Sequence, residues 1–337
     1  MTQAQPISGY VNFGLLLYLY PGVVSDSSLQ VYSPALSSIK GKGHNVFNPK
    51  ESSTYEPLAG KGWKIEYGDG STASGDCGTD TLVIGGLSVE KQTVENAKEL
   101  SDGFIQSAGD GLLGLGFSKI NAVTEGDKAD PKQTLVENMM QQKDIPTESS
   151  LFTSAFYSYR DAEPNRSFYT FGYIDQDLVR ESGEDIHWVD VDSSGGFWSF
   201  ASESVSINGK SMAMGSGTAI ADTGTTLALM SDAVVDALYG QIPGATYDWA
   251  SQGYVFPITI TLEDLPDFKV AVGEKEFIIQ KEDLAFAPTE DGENWYGGIQ
   301  SRGDLPFNIY GDTFLKSIYA VSIDYRSDPR LQSLVLC

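Results

Sequence analysis

The chain has 337 residues and a formal net charge of −24, because its 46 acidic residues outnumber its 22 lysines and arginines. A surface this acidic repels nucleic-acid phosphates and anionic membrane headgroups, so we expect neither as a partner. A chain of this length is too long for one comfortable hydrophobic core, and two domains are the expectation.

In chain order, the predicted elements are mostly short strands. An apolar run at residues 13–20 is too short to span a membrane. Residues 133–142 and 232–241 carry apolar side chains at helical spacing, and Ser231 and Asp232 offer an N-cap to the second helix. Residues 254–262 and 318–325 alternate apolar and polar side chains, which is typical of strands. The sequence therefore predicts an all-β chain with a few short helices.

A series of motifs in a fixed order gives a sharper prediction of the fold. They are Trp-Lys-Ile-Glu-Tyr-Gly-Asp-Gly-Ser within residues 63–75, Asp-Gly-Leu-Leu-Gly-Leu-Gly-Phe at 110–117, Phe-Gly-Tyr-Ile-Asp at 171–175, Gly-Phe-Trp-Ser-Phe at 196–200, Asp-Thr-Gly at 222–224 and Asn-Ile-Tyr-Gly-Asp-Thr-Phe-Leu at 308–315. This series resembles that of the fungal pepsin-like aspartic peptidases, from about residue 40 to about residue 325. The resemblance implies a bilobal all-β fold with a few short helices.

The same resemblance divides the chain at residue 170. It implies an N-terminal lobe, residues 1–170, with a flap hairpin at 63–75 and a first catalytic loop at 21–31. The C-terminal lobe, residues 171–337, carries the Asp-Thr-Gly loop. The segments at 110–117 and 308–315 would thread behind the two loops in matching roles, and the lobes would meet near residues 165–180.

Asp222 is the catalytic residue that the Asp-Thr-Gly match implies. In the family two aspartates share a proton; one activates a water and the other protonates the developing oxyanion. Gly224 permits the tight turn and Thr225 can hydrogen-bond the carboxylate, so both are expected at the substrate site.

The first catalytic loop departs from the family, because the chain has a single Asp-Thr-Gly. Aligning residues 29–31, Leu-Gln-Val, with the family's Leu-Trp-Val puts Val23 where the first aspartate belongs and Val24 next to it. This alignment predicts that Val23 or Val24 faces Asp222, and a valine can neither activate water nor donate a proton. Gln30 then replaces the tryptophan that hydrogen-bonds the flap tyrosine.

Asp26 offers an alternative alignment. The sequence Asp26-Ser27-Ser28 could be the first catalytic loop, slipped by three residues, with a compensating deletion before Leu29. The other interpretation is that Asp26 is an ordinary loop residue among serines. The sequence favours the second interpretation, because the family's loop is held by a rigid hydrogen-bond network.

The flap would supply the remaining polar groups. Tyr67 lies at its predicted tip and could donate a hydrogen bond to a substrate, while Gly68 and Asp69 complete the turn. We expect Gly68 and Asp69, together with Val23 and Gln30 of the first loop, to contact the substrate. The only histidines, His44 and His187, lie in separate predicted lobes without ligand spacing, so we expect no metal and no cofactor.

The cysteines favour an intracellular protein. The chain has only Cys77 and Cys337, whereas fungal relatives carry a disulfide near the places occupied here by Ile258 and Tyr296. No signal peptide is recognisable at the start of the sequence. We therefore predict a cytoplasmic monomer, with secretion or vacuolar delivery after processing as the alternative, and a buried, apolar role for Cys77.

Three functions remain open from sequence. The favoured one is a repurposed enzyme that isomerises, dehydrates or cyclises a small molecule in the interlobe cleft, with Asp222 moving a proton and Tyr67 donating a hydrogen bond. Such a protein would not cleave haemoglobin or casein. The second is a peptide-binding pseudopeptidase without turnover. The third is an acid endopeptidase with an unusual first loop.

Overall fold

The computed structural model describes residues 10–12, 16–18, 20–23, 26–146, 149–158, 160, 167–324 and 332–336, with side chains from residue 26 to residue 323 of those ranges. In the described part the elements before residue 175 are β1 (Tyr10–Asn12), β2 (Leu16–Tyr18), β3 (Tyr20–Val23), β4 (Leu29–Tyr32), β5 (Glu56–Glu66), β6 (Thr72–Ile84), β7 (Leu87–Leu100), α1 (Asp102–Gln106), β8 (Gly111–Gly114), β9 (Val123–Glu125), β10 (Lys128–Ala129), α2 (Leu135–Gln142), β11 (Leu151–Ala155) and β12 (Phe168–Phe171).

The elements after residue 175 are again mostly strands. They are α3 (Gln176–Ser182), β13 (His187–Asp192), β14 (Ser199–Ala201), β15 (Ser204–Ile207), β16 (Lys210–Ala213), β17 (Thr218–Ala221), β18 (Ala228–Met230), α4 (Asp232–Tyr239), β19 (Thr246–Asp248), β20 (Gly253–Pro257), β21 (Phe268–Val272), β22 (Lys275–Ile279), α5 (Lys281–Leu284), β23 (Ala285–Pro288), β24 (Asn294–Gly297), β25 (Ile299–Ser301), β26 (Asn308–Tyr310), α6 (Asp312–Leu315), β27 (Tyr319–Asp324) and β28 (Gln332–Leu336). The prediction of an all-β chain with short helices is confirmed.

The chain forms two compact units. The first comprises Met1–Thr153, Phe168–Ile174 and Ser193–Phe197, and the second comprises Ser154–Ser167, Asp175–Asp192 and Trp198–Cys337. The first unit is built on a sheet with strand order β10-β9-β5-β6-β7-β4-β8-β3. In the second unit a sheet runs β27-β28-β13-β14-β17-β26-β18-β25, and two four-stranded sheets, β16-β15-β21-β22 and β19-β20-β24-β23, complete the unit.

One arrangement of three strands occurs in both units. In the first unit β8 pairs with β3 in parallel and with β4 antiparallel. In the second unit β26 pairs with β17 in parallel and with β18 antiparallel. The loops that carry Asp26 and Asp222 connect β3 to β4 and β17 to β18. The segments at 110–117 and 308–315 therefore have the same topological role, as the motifs predicted.

The core of each unit is aromatic and aliphatic. In the first unit Tyr32 and Trp63 are buried beside Ile39 and Val123. In the second unit the largest fully buried side chains are Trp198, Phe200, Phe256, Phe268, Tyr310 and Phe314. Burying such rings stabilises each sheet, since roughly 25 cal/mol is gained per Å² of apolar surface removed from water.

The predicted helices and strands are confirmed with corrected ends. The first helix is α2, which begins at Leu135 because Thr134 and Glu137 form a reciprocal capping box. Ser231 is the N-cap residue of α4, as predicted, but its hydroxyl makes no capping hydrogen bond and donates instead to the carbonyl of Met214, at 3.0 Å. The strand predicted at 254–262 ends at Pro257, where a turn begins with the Ile260 N–H donating to the Pro257 carbonyl.

The structure also bears on Cys77 and on membrane-spanning helices. Cys77 is 2% exposed in β6, which confirms its prediction as a buried residue. Across the parts of the chain that are described, no helix combines the length and the apolar character needed to cross a membrane.

Candidate active site

Asp26 is a buried carboxylate, 2% exposed, in the loop between β3 and β4. Its Oδ1 accepts the backbone N–H groups of Ser27, at 2.5 Å, and Ser28, at 2.9 Å. The threading segment fixes the same loop: Gly114 N–H donates to the Ser28 carbonyl and Gly116 N–H to the Asp26 carbonyl, both at 2.6 Å. Asp26 is a loop residue, as expected, but the fold holds its carboxylate in place from several sides.

The flap tyrosine reaches this carboxylate. Tyr67 Oη donates to Asp26 Oδ2 at 2.6 Å, and its ring meets Phe104 edge-on with centroids 5.6 Å apart. Gln30 Nε2 in turn donates to Tyr67 Oη at 2.5 Å and lies 3.3 Å from Asp26 Oδ2. The Gln30 amide thus makes the hydrogen bond to the flap tyrosine that the family resemblance assigned to a tryptophan.

Burial decides the protonation of this group. Burial raises the pKa of Asp26 above its usual value, and hydrogen bonds from Tyr67 and from the Ser28 and Ser27 N–H groups offset only part of that rise. Burial also raises the pKa of Tyr67, and the neighbouring Asp26 charge adds to the rise. Tyr67 is therefore a neutral donor, while Asp26 exchanges its proton at a higher pH than an exposed aspartate.

The flap turn confirms the predicted hairpin between β5 and β6. Tyr67 N–H donates to the Ser71 carbonyl and Gly70 N–H donates back to the Tyr67 carbonyl, both at 2.9 Å. Gly70 has φ +80°, which favours glycine. Asp69 Oδ1 accepts from the Ser71 N–H, at 2.8 Å, and from its hydroxyl, at 2.6 Å, so this carboxylate stabilises the turn. A contact of Gly68 or Asp69 with substrate stays a prediction.

Asp222 occupies the corresponding loop of the second unit and is 4% exposed. Its Oδ1 accepts the Gly224 N–H at 2.9 Å, and its Oδ2 accepts the Thr225 hydroxyl at 2.6 Å. These are the contacts that the Asp-Thr-Gly match implied. In both loops one carboxylate oxygen accepts the N–H two residues ahead, at the same distance of 2.9 Å.

Asp312 is a further carboxyl group near Asp222. Burial raises the pKa of Asp312 to about 7, the Lys316 ammonium lowers it in part, and the charge of Asp222 raises it. The group lies at the N-terminus of α6, directly after the threading strand β26. Nothing in the motif indicates that Asp312 is buried, so its raised pKa is not predictable from the sequence.

The predicted position of Val23 is described only in its backbone. Val23 ends β3 and pairs with Gly114, while Ala221, the residue before Asp222, pairs with Tyr310, the residue before Gly311. The register of β3 shifts between Pro21 and Val23, so its pairing with β8 leaves both alignments of the first loop open. The side chain of Val23 and all of Val24 lie outside what is described, so the prediction that they face Asp222 stays a prediction.

No group of three or more potential metal ligands occurs among the described residues. The two histidines bind protein groups instead. His44 lies between the Asp110 carboxylate and the Ile105 carbonyl, and His187 Nε2 is 3.0 Å from the Val272 carbonyl.

The hydrogen bond from Tyr67 to Asp26 gives a first testable prediction. The donated bond favours the charged carboxylate, so removing it in Tyr67→Phe should raise the pKa of Asp26 further. A hydrogen bond to a charged group contributes about 1.5–3 kcal/mol, which corresponds to a shift of about one to two pH units. The measurement is the acidic midpoint of kcat/KM against pH, or of the Asp26 carboxyl carbon in NMR spectra.

A matched control exists in the second unit. Tyr254 Oη donates to Asp236 Oδ1 at the same 2.6 Å, but on the surface. Tyr254→Phe should leave the acidic midpoint of activity unchanged. Equal midpoints for the wild type and Tyr67→Phe would mean that the Tyr67–Asp26 contact does not control this carboxyl group.

Two β units, each with a buried aspartate on a loop that a threading strand fixes, define the class of pepsin-like aspartic peptidase folds. Residues 24–330 match the family described as eukaryotic aspartyl protease. Aspergillopepsin-1 of Aspergillus oryzae is 40% identical over 296 residues, which are 88% of this chain and 70% of that protein. Penicillopepsin-1 of Penicillium rubens is 39% identical over 317 residues, 90% of this chain and 74% of its own length.

A third relative, penicillopepsin-2 of Penicillium janthinellum, is 39% identical over 297 residues, 88% of this chain and 70% of that protein. The chain belongs to the eukaryotic aspartyl protease family. The predicted pepsin-like all-β fold is confirmed. The matched region begins at residue 24 and so includes Asp26.

Proposed function

We propose that this protein is an acid-acting aspartic endopeptidase whose two catalytic carboxylates are Asp26, in an Asp-Ser-Ser loop, and Asp222, in the Asp-Thr-Gly loop. The observation that carries the proposal is the environment of Asp26. Two backbone N–H groups and the Tyr67 hydroxyl converge on a carboxylate that is 2% exposed. Such convergence of donors and burial is typical of a catalytic acid rather than of a loop residue.

The proposed chemistry needs one carboxyl group that holds a proton and one that is ionised. One carboxylate takes a proton from a water, which attacks the carbonyl carbon of the scissile peptide bond, and the other carboxyl group protonates the developing oxyanion. The raised pKa of Asp26 favours it as the group that holds the proton at acid pH. The Asp222 carboxylate, bound by Gly224 N–H and the Thr225 hydroxyl, would then activate the water.

The small-molecule enzyme and the pseudopeptidase both rested on the loss of the first aspartate. The buried Asp26 removes the main reason for them, and the relatives at 39–40% identity carry names of peptidases. An acid-acting peptidase also fits the secreted or vacuolar alternative better than the cytoplasmic location predicted from the cysteines. Ser27 and Ser28 stand where the family has Thr-Gly after the first aspartate. Because of this difference, peptidase activity has to be assayed directly.

The assay is cleavage of haemoglobin or casein by the purified protein between pH 3 and 5, with and without a statine-type peptide. Statine places a hydroxyl where the tetrahedral intermediate forms, so a two-carboxylate site should bind it tightly. We expect cleavage that the inhibitor stops. Intact substrates, together with no measurable binding of the inhibitor by calorimetry, would reject the proposal and return the choice to a small-molecule or peptide-binding role.

A further inference from the structure

Glu95 is a buried acid that no part of the proposed mechanism uses. It lies on β7, 1% exposed, where its backbone pairs with Gln30 on β4 and with Cys77 on β6. Paired residues of adjacent strands point to the same face of the sheet, so Glu95 and Gln30 share the face that meets the catalytic loop. A carboxyl group in such a place needs an explanation, because isolated buried charges are very costly.

The hydrogen bonds of Glu95 lead to the loop of Asp26. Asn121 Nδ2 donates to Glu95 Oε1 at 2.8 Å and also lies 3.4 Å from the Ser27 carbonyl oxygen. Asn121 is itself held, because its Oδ1 accepts the Lys132 N–H at 2.9 Å. One amide therefore connects the Glu95 carboxyl group to the backbone of the residue that follows Asp26.

No counter-charge balances Glu95 in the described part of the structure. Its Oε2 is buried without a hydrogen-bond partner, and none of the ion pairs formed there includes it. The charge of Asp26 from the loop acts on Glu95, and Glu95 in turn raises the pKa of Tyr67 from the flap and of Cys77 from β6; none of these groups supplies a positive charge. The ammonium of Lys132, the residue whose N–H holds Asn121, pairs with Asp130.

We propose that Glu95 is a positioning residue for Asp26: as a neutral carboxylic acid it fixes the catalytic loop through Asn121, and its ionisation disables the loop. Burial, and next the charge of Asp26, raise the pKa of Glu95 to about 8, against smaller opposing effects of Asn121 and Ser28. Glu95 is therefore neutral across the acid range. This inference rests on the proposed function, since it assigns Glu95 to the loop of a catalytic Asp26.

The sign of the pH dependence follows from proton linkage. The folded protein holds this proton up to about pH 8, while the unfolded chain releases it near the ordinary glutamate pKa of 4.5. The stability that the neutral acid contributes is therefore fully present below about pH 4.5 and is lost as the pH rises towards 8. Glu95→Gln keeps an uncharged group of the same shape and should remove this loss.

The test compares the wild type, Glu95→Gln and the control Glu99→Gln, on the same strand but exposed and bonded to Ser74. We expect similar Tm and kcat/KM for all three at pH 4. Between pH 5 and 8 the Tm of the wild type and of Glu99→Gln should fall more steeply than the Tm of Glu95→Gln. The alkaline limb of the kcat/KM profile of Glu95→Gln should lie at a pH higher by about one unit or more. Parallel Tm curves, or an unmoved alkaline limb, would overturn the proposal.

A second measurement needs no activity and no folded Glu95 variant. In the wild type labelled with ¹³C at the glutamate carboxyl carbons, one resonance should titrate near pH 8 instead of near 4.5. Asp26→Asn should lower that midpoint, because the Asp26 charge is one of its causes. The inference would be refuted if no glutamate resonance titrated near pH 8, or if that midpoint were the same in Asp26→Asn. If the midpoint moved but the protein had no peptidase activity, only the proposed function would be refuted.

Discussion

Asp26→Asn is expected to lower kcat/KM for peptide cleavage at pH 3–5 by at least about 10²–10⁴-fold, the contribution typical of a positioned acid or base. The amide keeps the shape of the carboxyl group, and its oxygen can still accept the N–H groups of Ser27 and Ser28. It can neither take nor release a proton in this pH range. The loss should therefore appear in kcat with little change in Tm, and the measurement is a rate assay beside a thermal melt.

Asp222→Asn should cause a loss of similar size, and the double variant should be hardly worse than either single one. In the proposed mechanism both carboxyl groups serve the same step, so removing the second should add little once the first is gone. Asp76→Asn is the control, because Asp76 is a half-buried carboxylate on β6 that pairs with Lys98. Full activity of Asp26→Asn beside an inactive Asp222→Asn would show that the first loop contributes no catalytic aspartate.

The second unit was predictable from sequence because its signals are local. Asp222, Gly224 and Thr225 are neighbours in the chain, and the contacts that hold the carboxylate come from those neighbours. The threading segments were predictable for the same reason, since two apolar residues followed by glycine identify them. Short-range chemistry of this kind is preserved in a motif and can be read without a structure.

The first unit was harder because its contacts are distant in sequence. Tyr67 binds Asp26 across 41 residues and Asn121 reaches Ser27 across 94. The two alignments differ by three residues, and this difference decides whether the first loop contributes a carboxylate. Both leave the strand pairing of β3 with β8 in place. Glu95 gave no signal at all, because a glutamate in a strand is normally on the solvent face, and only the packing reveals that this one is not.

Gly311→Ala should be among the most damaging single substitutions in the second unit. A Cβ at this position would lie 2.0 Å from the Thr225 carbonyl oxygen and 2.3 Å from that of Leu227, and backbone atoms of a packed loop cannot easily yield. Overpacking costs about 1–3 kcal/mol and occasionally more, so we expect a loss of stability of about 3 kcal/mol or greater. Urea unfolding with a fixed m-value measures it.

Gly114→Ala tests the same principle behind the loop of Asp26. Its added Cβ would lie 2.6 Å from the carbonyl carbon and oxygen of Asp26 and from the Ser27 nitrogen, a slightly wider clearance than at Gly311. We expect a smaller loss of stability but a rate reduced by about 10²-fold or more, because a shift of 1 Å in a catalytic group has that effect. Gly103→Ala, whose Cβ meets only Ser71 Cβ at 3.8 Å, should stay within about 0.5 kcal/mol of the wild type. Wild-type stability and activity in both Gly311→Ala and Gly114→Ala would contradict the close packing of the threading segments against both aspartate loops. That packing explains how the fold can hold Asp26 in place although the sequence of the first loop departs from the family.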